Sequence, residues 1–262
     1  MRRPQTLDLD SRCGLLRSLH VPGTPLLLPN AWDAATARAV VAAGFPVVAT
    51  TSGGVAAALG YEDHEGAPAE EMLGAAARIA RAVDVPVTVD AEAGYGMDPA
   101  DLAAALQSAR AAGCNLEDTD HATDGLRDPD VHAEWLGGVR RAAAEHGYGL
   151  VINARVDVFL RAFLAGATSQ AQLVPEALER ANAYLDAGVD CVYPIGLWEP
   201  ESLRAFMSEV RGPVNVINLP QTPSLAELAE LGVARVSWAT TLHRDAMARF
   251  AEQLASLREL TG

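Results

Sequence analysis

The chain has 262 residues, half of them apolar, and a formal net charge of −14. That length accommodates one large α/β barrel, and the acidic balance argues against nucleic acid or an anionic membrane as partner, since both select a basic face. No apolar run reaches the length of a membrane span, and the opening MRRPQTLDLDSRC lacks the apolar core of a signal peptide, so a cytoplasmic protein is expected.

Strand-like apolar runs recur at 26–29, 47–51, 85–90, 114–118, 150–155, 191–195, 214–217 and 235–238. They are continuous rather than alternating, as in strands covered on both faces. Ala/Leu/Glu/Arg-rich segments with helical spacing lie between them. Asp98-Pro99 predicts an N-cap and a first-turn proline, and Ser224 with Glu227 predicts a capping box. Gly44, Gly113, Gly188 and Gly232 each stand just before a strand, where glycine commonly ends a helix in the left-handed region. Eight strand-then-helix units without a linker predict a single (β/α)8 TIM-type barrel domain over 1–262, with the barrel at about 25–240 and a helical segment at about 240–260. A doubly wound open sheet lacks support, because no Gly-x-Gly-x-x-Gly follows a strand.

The active site of such a barrel lies at the C-terminal strand ends. Asp90 and Glu92 in PVTVDAEAGYG share one strand face, with Thr88 below them, and Glu117 can join from the next strand. Three carboxylates together repel unless a cation or protons intervene. Hard oxygen donors with room for water suit Mg2+, or Mn2+, rather than zinc. Solvated loop acids are the plainer alternative. All 20 basic residues are arginine, which excludes lysine Schiff bases, anchored pyridoxal phosphate and a P-loop lysine. Enolate chemistry would then need another electron sink, and a metal ion is the obvious one. Cys13, Cys114 and Cys191 match no zinc or redox spacing, and the last two sit in apolar segments as expected buried thiols.

Arg155 in INARVD is costly on an inward face unless paired. Its fork suits a substrate carboxylate, and an internal ion pair with Glu117 or Asp157 is equally compatible. TTSGG (50–54) offers an oxyanion cradle or a tight turn. The segment 60–66, GYEDHEG, reads as a lid carrying Asp63 or as a mobile surface loop. His64 and His121 lie in acidic loops and read as solvent-facing. Tyr61, Asp63 and His121 are the candidates for general acid or base.

These segments in order, with D-x-E-A-G-Y-G, LED and NAR as the specific combination, resemble the isocitrate lyase/phosphoenolpyruvate mutase superfamily over roughly 25–240. The resemblance implies an α/β barrel, Mg2+, and chemistry at a C–C or C–P bond beside a keto or hydroxy carboxylate through a metal-held enolate. It implies Asp90 as the direct ligand, with Glu92 and Glu117 as ligands directly or through water. It implies Asp63 as the gating-loop acid, Thr51, Ser52 and Gly53 as the holders of the substrate carboxylate and keto oxygen, and Arg155 and Asn215 as substrate contacts. It also implies a homo-oligomer, tetramer or dimer, that exchanges a C-terminal helix between subunits. Departures from the superfamily are equally informative. EDTDHATDGLRDPD lacks the Lys-x-Cys-Gly-His loop of the isocitrate lyases and the lysine of the mutases. YPIGL puts Ile195 or a neighbour where the mutases carry histidine. The expected activity is therefore a Mg2+-dependent lyase acting on a small 2-oxo or 2-hydroxy carboxylate. C–P chemistry on phosphonopyruvate and a non-catalytic keto-acid-binding barrel are the alternatives.

Overall fold

The computed structural model describes residues 7–260. All eight strand-like runs form strands within a residue or two of their expected bounds. In chain order the strands are β1 (Leu26–Leu28), β2 (Asn30–Ala31), β3 (Val48–Thr50), β4 (Val87–Asp90), β5 (Gly113–Glu117), β6 (Thr119–Asp120), β7 (Gly125–Leu126), β8 (Val151–Val156), β9 (Cys191–Pro194), β10 (Asn215–Ile217) and β11 (Arg235–Ser237). Apart from the small antiparallel β6–β7 hairpin, every pairing between these strands is parallel.

One sheet runs β2-β3-β4-β5-β8-β9 and the other β1-β11-β10. The two join twice. A single parallel bridge, Val192 with Val214, links β9 to β10. At the other seam β1 pairs with β11 while β2 pairs with β3, so one bent strand serves both sheets across Pro29 and the barrel closes. Proline has no N–H for a ladder. The side chain of Asn30 compensates: its Nδ2 donates to the Thr50 carbonyl at 2.8 Å, and its Oδ1 accepts the Trp238 N–H at 2.9 Å.

Helices sheathe the barrel. Ala69–Ala82 buries Met72, Leu73, Ala76 and Ile79 on one face, the stripe expected of a helix packed on a sheet. The capping box at Ser224 forms, and Pro99 opens its helix behind Asp98. Gly44, Gly188 and Gly232 adopt φ of 93°, 97° and 83° after their helices. Gly113 does not: it lies inside β5, and Arg110 takes the left-handed position with φ 60°. Its lack of a side chain serves packing instead, since a Cβ there would meet the Val151 carbonyl oxygen at 2.7 Å and Leu16 Cδ2 at 2.8 Å. Leu16 belongs to a helix without counterpart in the sequence reading, Leu9–Ser18, which buries Cys13 and Leu16 at the N-terminal end of the barrel.

The barrel interior is unusually polar. Such interiors are ordinarily filled by branched apolar side chains, yet Thr88, Asn153, Asn215, Arg235 and Ser237 are buried here and Asn115 is half-buried. Asn115 Oδ1 accepts from Asn153 Nδ2 at 2.9 Å and from Arg235 Nη2 at 3.0 Å. Asn115 Nδ2 in turn reaches Asp90 Oδ1 at 3.4 Å. A polar column therefore rises through the barrel to the end of β4. The helix Thr241–Glu259 is the opposite case: no residue of it is buried, and Met247, Phe250, Leu254 and Leu257 face outward.

His132 gives the outer layer a pH dependence. Its ring is fully buried, stacked on Trp135 at 5.6 Å and edge-on to Tyr184 at 5.2 Å. Burial, helped by Arg127 and Arg180, pushes its pKa down to about 3. Because the unfolded chain takes this proton near the ordinary histidine value of about 6.5, the imidazole's contribution is intact above that pH and is lost progressively toward pH 3. The difference in unfolding free energy between wild type and His132→Phe should thus shift by about 2–3 kcal/mol in favour of the variant between pH 7 and pH 4.5. Urea titrations at the two pH values measure it, and a pH-independent difference would refute the assignment.

Candidate active site

The C-terminal mouth of the barrel holds a chamber of about 100 Å3. Asp63, Asp90, Glu92 and Glu117 line it, with Arg155 as the single arginine among its lining residues. Thr51 and Ser52 form part of its wall. A wider pocket of about 290 Å3 adjoins it, sharing His64, Arg155 and Leu160 and bounded further out by His121 and Arg161.

Asp90 ends β4. Its N–H donates to Thr50 Oγ1 at 2.8 Å, and its Oδ2 accepts the Ser52 N–H at 3.0 Å. Ser52 opens the helix Ser52–Leu59, whose N-terminal dipole favours negative charge here. Glu92 follows in a tight turn at φ 50° and is only 3% exposed. The turn needs Gly94, at φ 89°, where a Cβ would lie 2.6 Å from the Trp135 ring. Burial, with Asp90 and Asp63 nearby, pushes the Glu92 carboxyl up to about 7. The loop after Gly60 closes over this side: Glu65 N donates to Glu92 Oε1 at 2.7 Å, and Glu65 Oε1 accepts the Tyr95 N–H at 2.6 Å.

Glu117 ends β5, and Arg155 stands beside it on β8. Arg155 Nη2 pairs with Glu117 Oε2. The Arg155 Nε and Nη2 grip Asp157 at 2.6 and 2.7 Å, so one edge of the fork is already engaged by a carboxylate of the chain. Asp157 is fixed further by the Thr119 hydroxyl at 2.6 Å. Burial pushes the Glu117 carboxyl up to about 7, against the pull of Arg155. His121 Nε2 lies 2.8 Å from Glu117 Oε1, and that contact raises the imidazole pKa. His121 thus faces the site rather than solvent, and its ring centroid is 5.7 Å from that of His64.

The remaining expected residues divide. Asp63 reaches the chamber above Gly53, where a Cβ would stand 2.6 Å from Asp63 Oδ2 and 2.9 Å from Thr240 Oγ1. Tyr61 does not line the chamber; its hydroxyl donates to Glu71 Oε1 at 2.7 Å. Asn215 lies lower in the barrel, in register with Arg235 and bonded to Ser237 Oγ at 3.3 Å, and is absent from the chamber wall. Ile195, Leu160, Ala239 and Thr240 complete that wall. The last three carry no motif, although Thr240 is tied to Thr51 by hydroxyls 2.8 Å apart. The three expected metal ligands share the chamber, yet among the described residues no three His, Cys, Asp or Glu side chains gather tightly enough to hold an ion directly.

Residues 16–258 match the phosphoenolpyruvate phosphomutase family, and the chain belongs to this family of enzymes. A crystal structure from Burkholderia cenocepacia J2315 described as a candidate phosphonomutase superposes with TM-score 0.87 at 44% identity, covering 94% of this chain and 99% of that one. A Corynebacterium glutamicum protein named as a candidate 2-methylisocitrate lyase is 32% identical over 88% of this chain and 75% of its own length. The structure of 2,3-dimethylmalate lyase aligns with TM-score 0.81 at 25% identity over 95% and 85% of the two chains.

Arg155→Lys should be poorly tolerated. An ammonium keeps the charge but cannot hold Asp157 through two parallel bonds while also meeting Glu117. We expect a stability loss of about 2–4 kcal/mol, together with reduced kcat and raised KM. Melting and kinetics of the same preparation check this: a destabilised variant with unchanged kinetics would make Arg155 purely structural.

Proposed function

We propose that this enzyme is a Mg2+-dependent lyase, with Mn2+ as a possible substitute, that breaks or forms a C–C bond beside a small 2-oxo or 2-hydroxy carboxylate through an enolate. The observation that carries the reading is the chamber: Asp63, Asp90, Glu92 and Glu117 face one small space with a single arginine. An all-oxygen donor set fits a hard divalent ion that keeps part of its water shell. The family resemblance supports Asp90 as the direct ligand, with Glu92 and Glu117 as ligands directly or through water. When bound, the ion supplies the electron sink for the developing enolate.

The chain's own groups supply the rest. The Thr51 and Ser52 hydroxyls and the backbone amides at the start of the helix Ser52–Leu59 offer donors to the substrate carboxylate and keto oxygen. Arg155 holds Glu117 in place and keeps its remaining edge for the substrate. His121, bonded to Glu117, is the group that carries the proton, and Asp63 closes the chamber from the loop above. Cysteine has no part in the acid step. Cys13, Cys114 and Cys191 are buried, and burial pushes each thiol up to about 12.

The exposed stripe Met247, Phe250, Leu254, Leu257 repeats at three and four residues, the spacing of a helix seam that packs on another chain. It supports a homo-oligomer, dimer or tetramer, in which this helix covers a neighbouring subunit. No helix among the described residues is long and apolar enough to cross a membrane.

With pyruvate as a small 2-oxo acid probe, C3 proton exchange in D2O should require added Mg2+ or Mn2+. Asp90→Asn should lower it on the order of 100-fold while leaving the melting curve in place. Exchange undiminished in excess EDTA would overturn the metal reading. Separately, Phe250→Asp with Leu254→Asp should reduce the solution mass to that of one 27.5 kDa chain. Light scattering decides, and a wild type that already runs as a monomer would dismiss the helix contact.

A further inference from the structure

The chamber has two unlike halves. Asp63, Asp90, Glu92 and Glu117 occupy one, together with the Arg155–Asp157 pair. Leu160, Ile195 and Ala239 form the other. These three belong with Tyr193, Ile217 and Leu219 to a small apolar cluster that stands apart from the main core. Arg155 stands with the acids, where Asp157 and Glu117 engage it and one edge remains for the carboxylate received there. Arg161, the other arginine of the adjoining pocket, is held by Asp124 at 3.0 Å. Leu160 continues the apolar wall into that pocket, where Leu164 extends it.

A substrate anion placed there would lose water and gain no partner. One carboxylate can be received at the polar half, by the helix start and the remaining edge of Arg155. A second carboxylate or a phosphonate on the far end of the substrate would face alkyl groups, with four carboxylates across a narrow space. An aliphatic far end would instead bury its surface against Leu160 and Ile195.

We infer that the substrate is a monocarboxylate, a 4-hydroxy-2-oxo acid whose C4 substituent is aliphatic and lies against Leu160, Ile195 and Ala239. The inference rests on the enolate-forming reading of the same site and names its substrate class. In the cleavage direction the C4 hydroxyl proton leaves to the chain's base while the C3–C4 bond breaks. The bonding pair goes to C3 as the enolate, and C4 becomes a carbonyl. The proton then returns to C3. The products are pyruvate and a ketone or aldehyde, and no co-reactant is consumed.

The test compares kcat/KM, read as pyruvate release with Mg2+ present, for 4-hydroxy-4-methyl-2-oxopentanoate and for its C4-carboxylate counterpart, 4-hydroxy-4-methyl-2-oxopentanedioate. Phosphonopyruvate is a third substrate in the panel. The aliphatic compound should be preferred by about tenfold or more. Ile195→Arg, which adds a cation to the apolar half, should reverse or abolish that preference. Pyruvate C3 exchange, run alongside, reports enolisation without any C4 group. Exchange with equal or better use of the dianion or the phosphonate would overturn the substrate class and leave the enolate reading standing. Absence of exchange would overturn the reading beneath it. If the arginine variant does not fold, the wild-type ratio alone decides.

Discussion

Four carboxylates face one chamber of about 100 Å3, and one guanidinium stands among them. Burial opposes ionisation of these acids, and like charges at such range add to the opposition. The consequence is visible at Glu92 and Glu117, whose carboxyls are both driven up to about 7. Arg155 relieves only part of the load, because Asp157 takes the geometrically best edge of its fork. The site is built around a deficit of positive charge. A divalent cation is the simplest remedy that leaves the acids available as oxygen donors.

Much of the surrounding structure makes sense as support for that deficit. The helix Ser52–Leu59 points its N-terminus at Asp90, and the Ser52 amide bonds it directly. The loop 60–66 contributes a backbone amide to Glu92 through Glu65. From below, the polar column ends at Asp90 through Asn115, with Arg235 behind it as a buried positive charge. These contacts have costs. His64, Glu65, Glu92, Tyr95 and Ala239 all take left-handed backbone conformations around the mouth. Arg235 leaves Nε and Nη1 without protein partners. Strain and unmet hydrogen bonds of this kind persist where the rest of the fold over-determines the arrangement.

What could be read from the sequence follows from how local the physics is. The eight strands were legible because each is a short apolar run bounded by turn residues. The capping box at Ser224 depends on only four consecutive positions. Asp90, Glu92 and Glu117 were legible as a group because strand periodicity and adjacent strands suffice to bring them to one mouth. Tyr61 and Asn215 lie outside the chamber wall for reasons that spacing cannot reveal. Tyr61 is drawn to Glu71 by a helix packed beside the loop, and Asn215 sits one pleat repeat below the mouth. Gly113 carries the same Ala-Ala-Gly prelude as Gly44, but a tight contact with Leu16 and β8 explains it. Leu160, Ala239 and Thr240 arrive from tertiary packing alone, which no motif announces.

Thr240 connects the site to the edge of the molecule. Its hydroxyl meets Thr51 at 2.8 Å and lies over Gly53, while the next residue begins the helix Thr241–Glu259. One turn further, His243 packs edge-on against Trp32 at 5.0 Å, just beyond β2. The start of this helix is thus fastened to the chamber wall, and the remainder extends with its apolar stripe uncovered. The direction of the helix and the position of Thr240 against Gly53 and Asp63 are therefore mechanically continuous, through the Thr240–Thr51 and His243–Trp32 contacts.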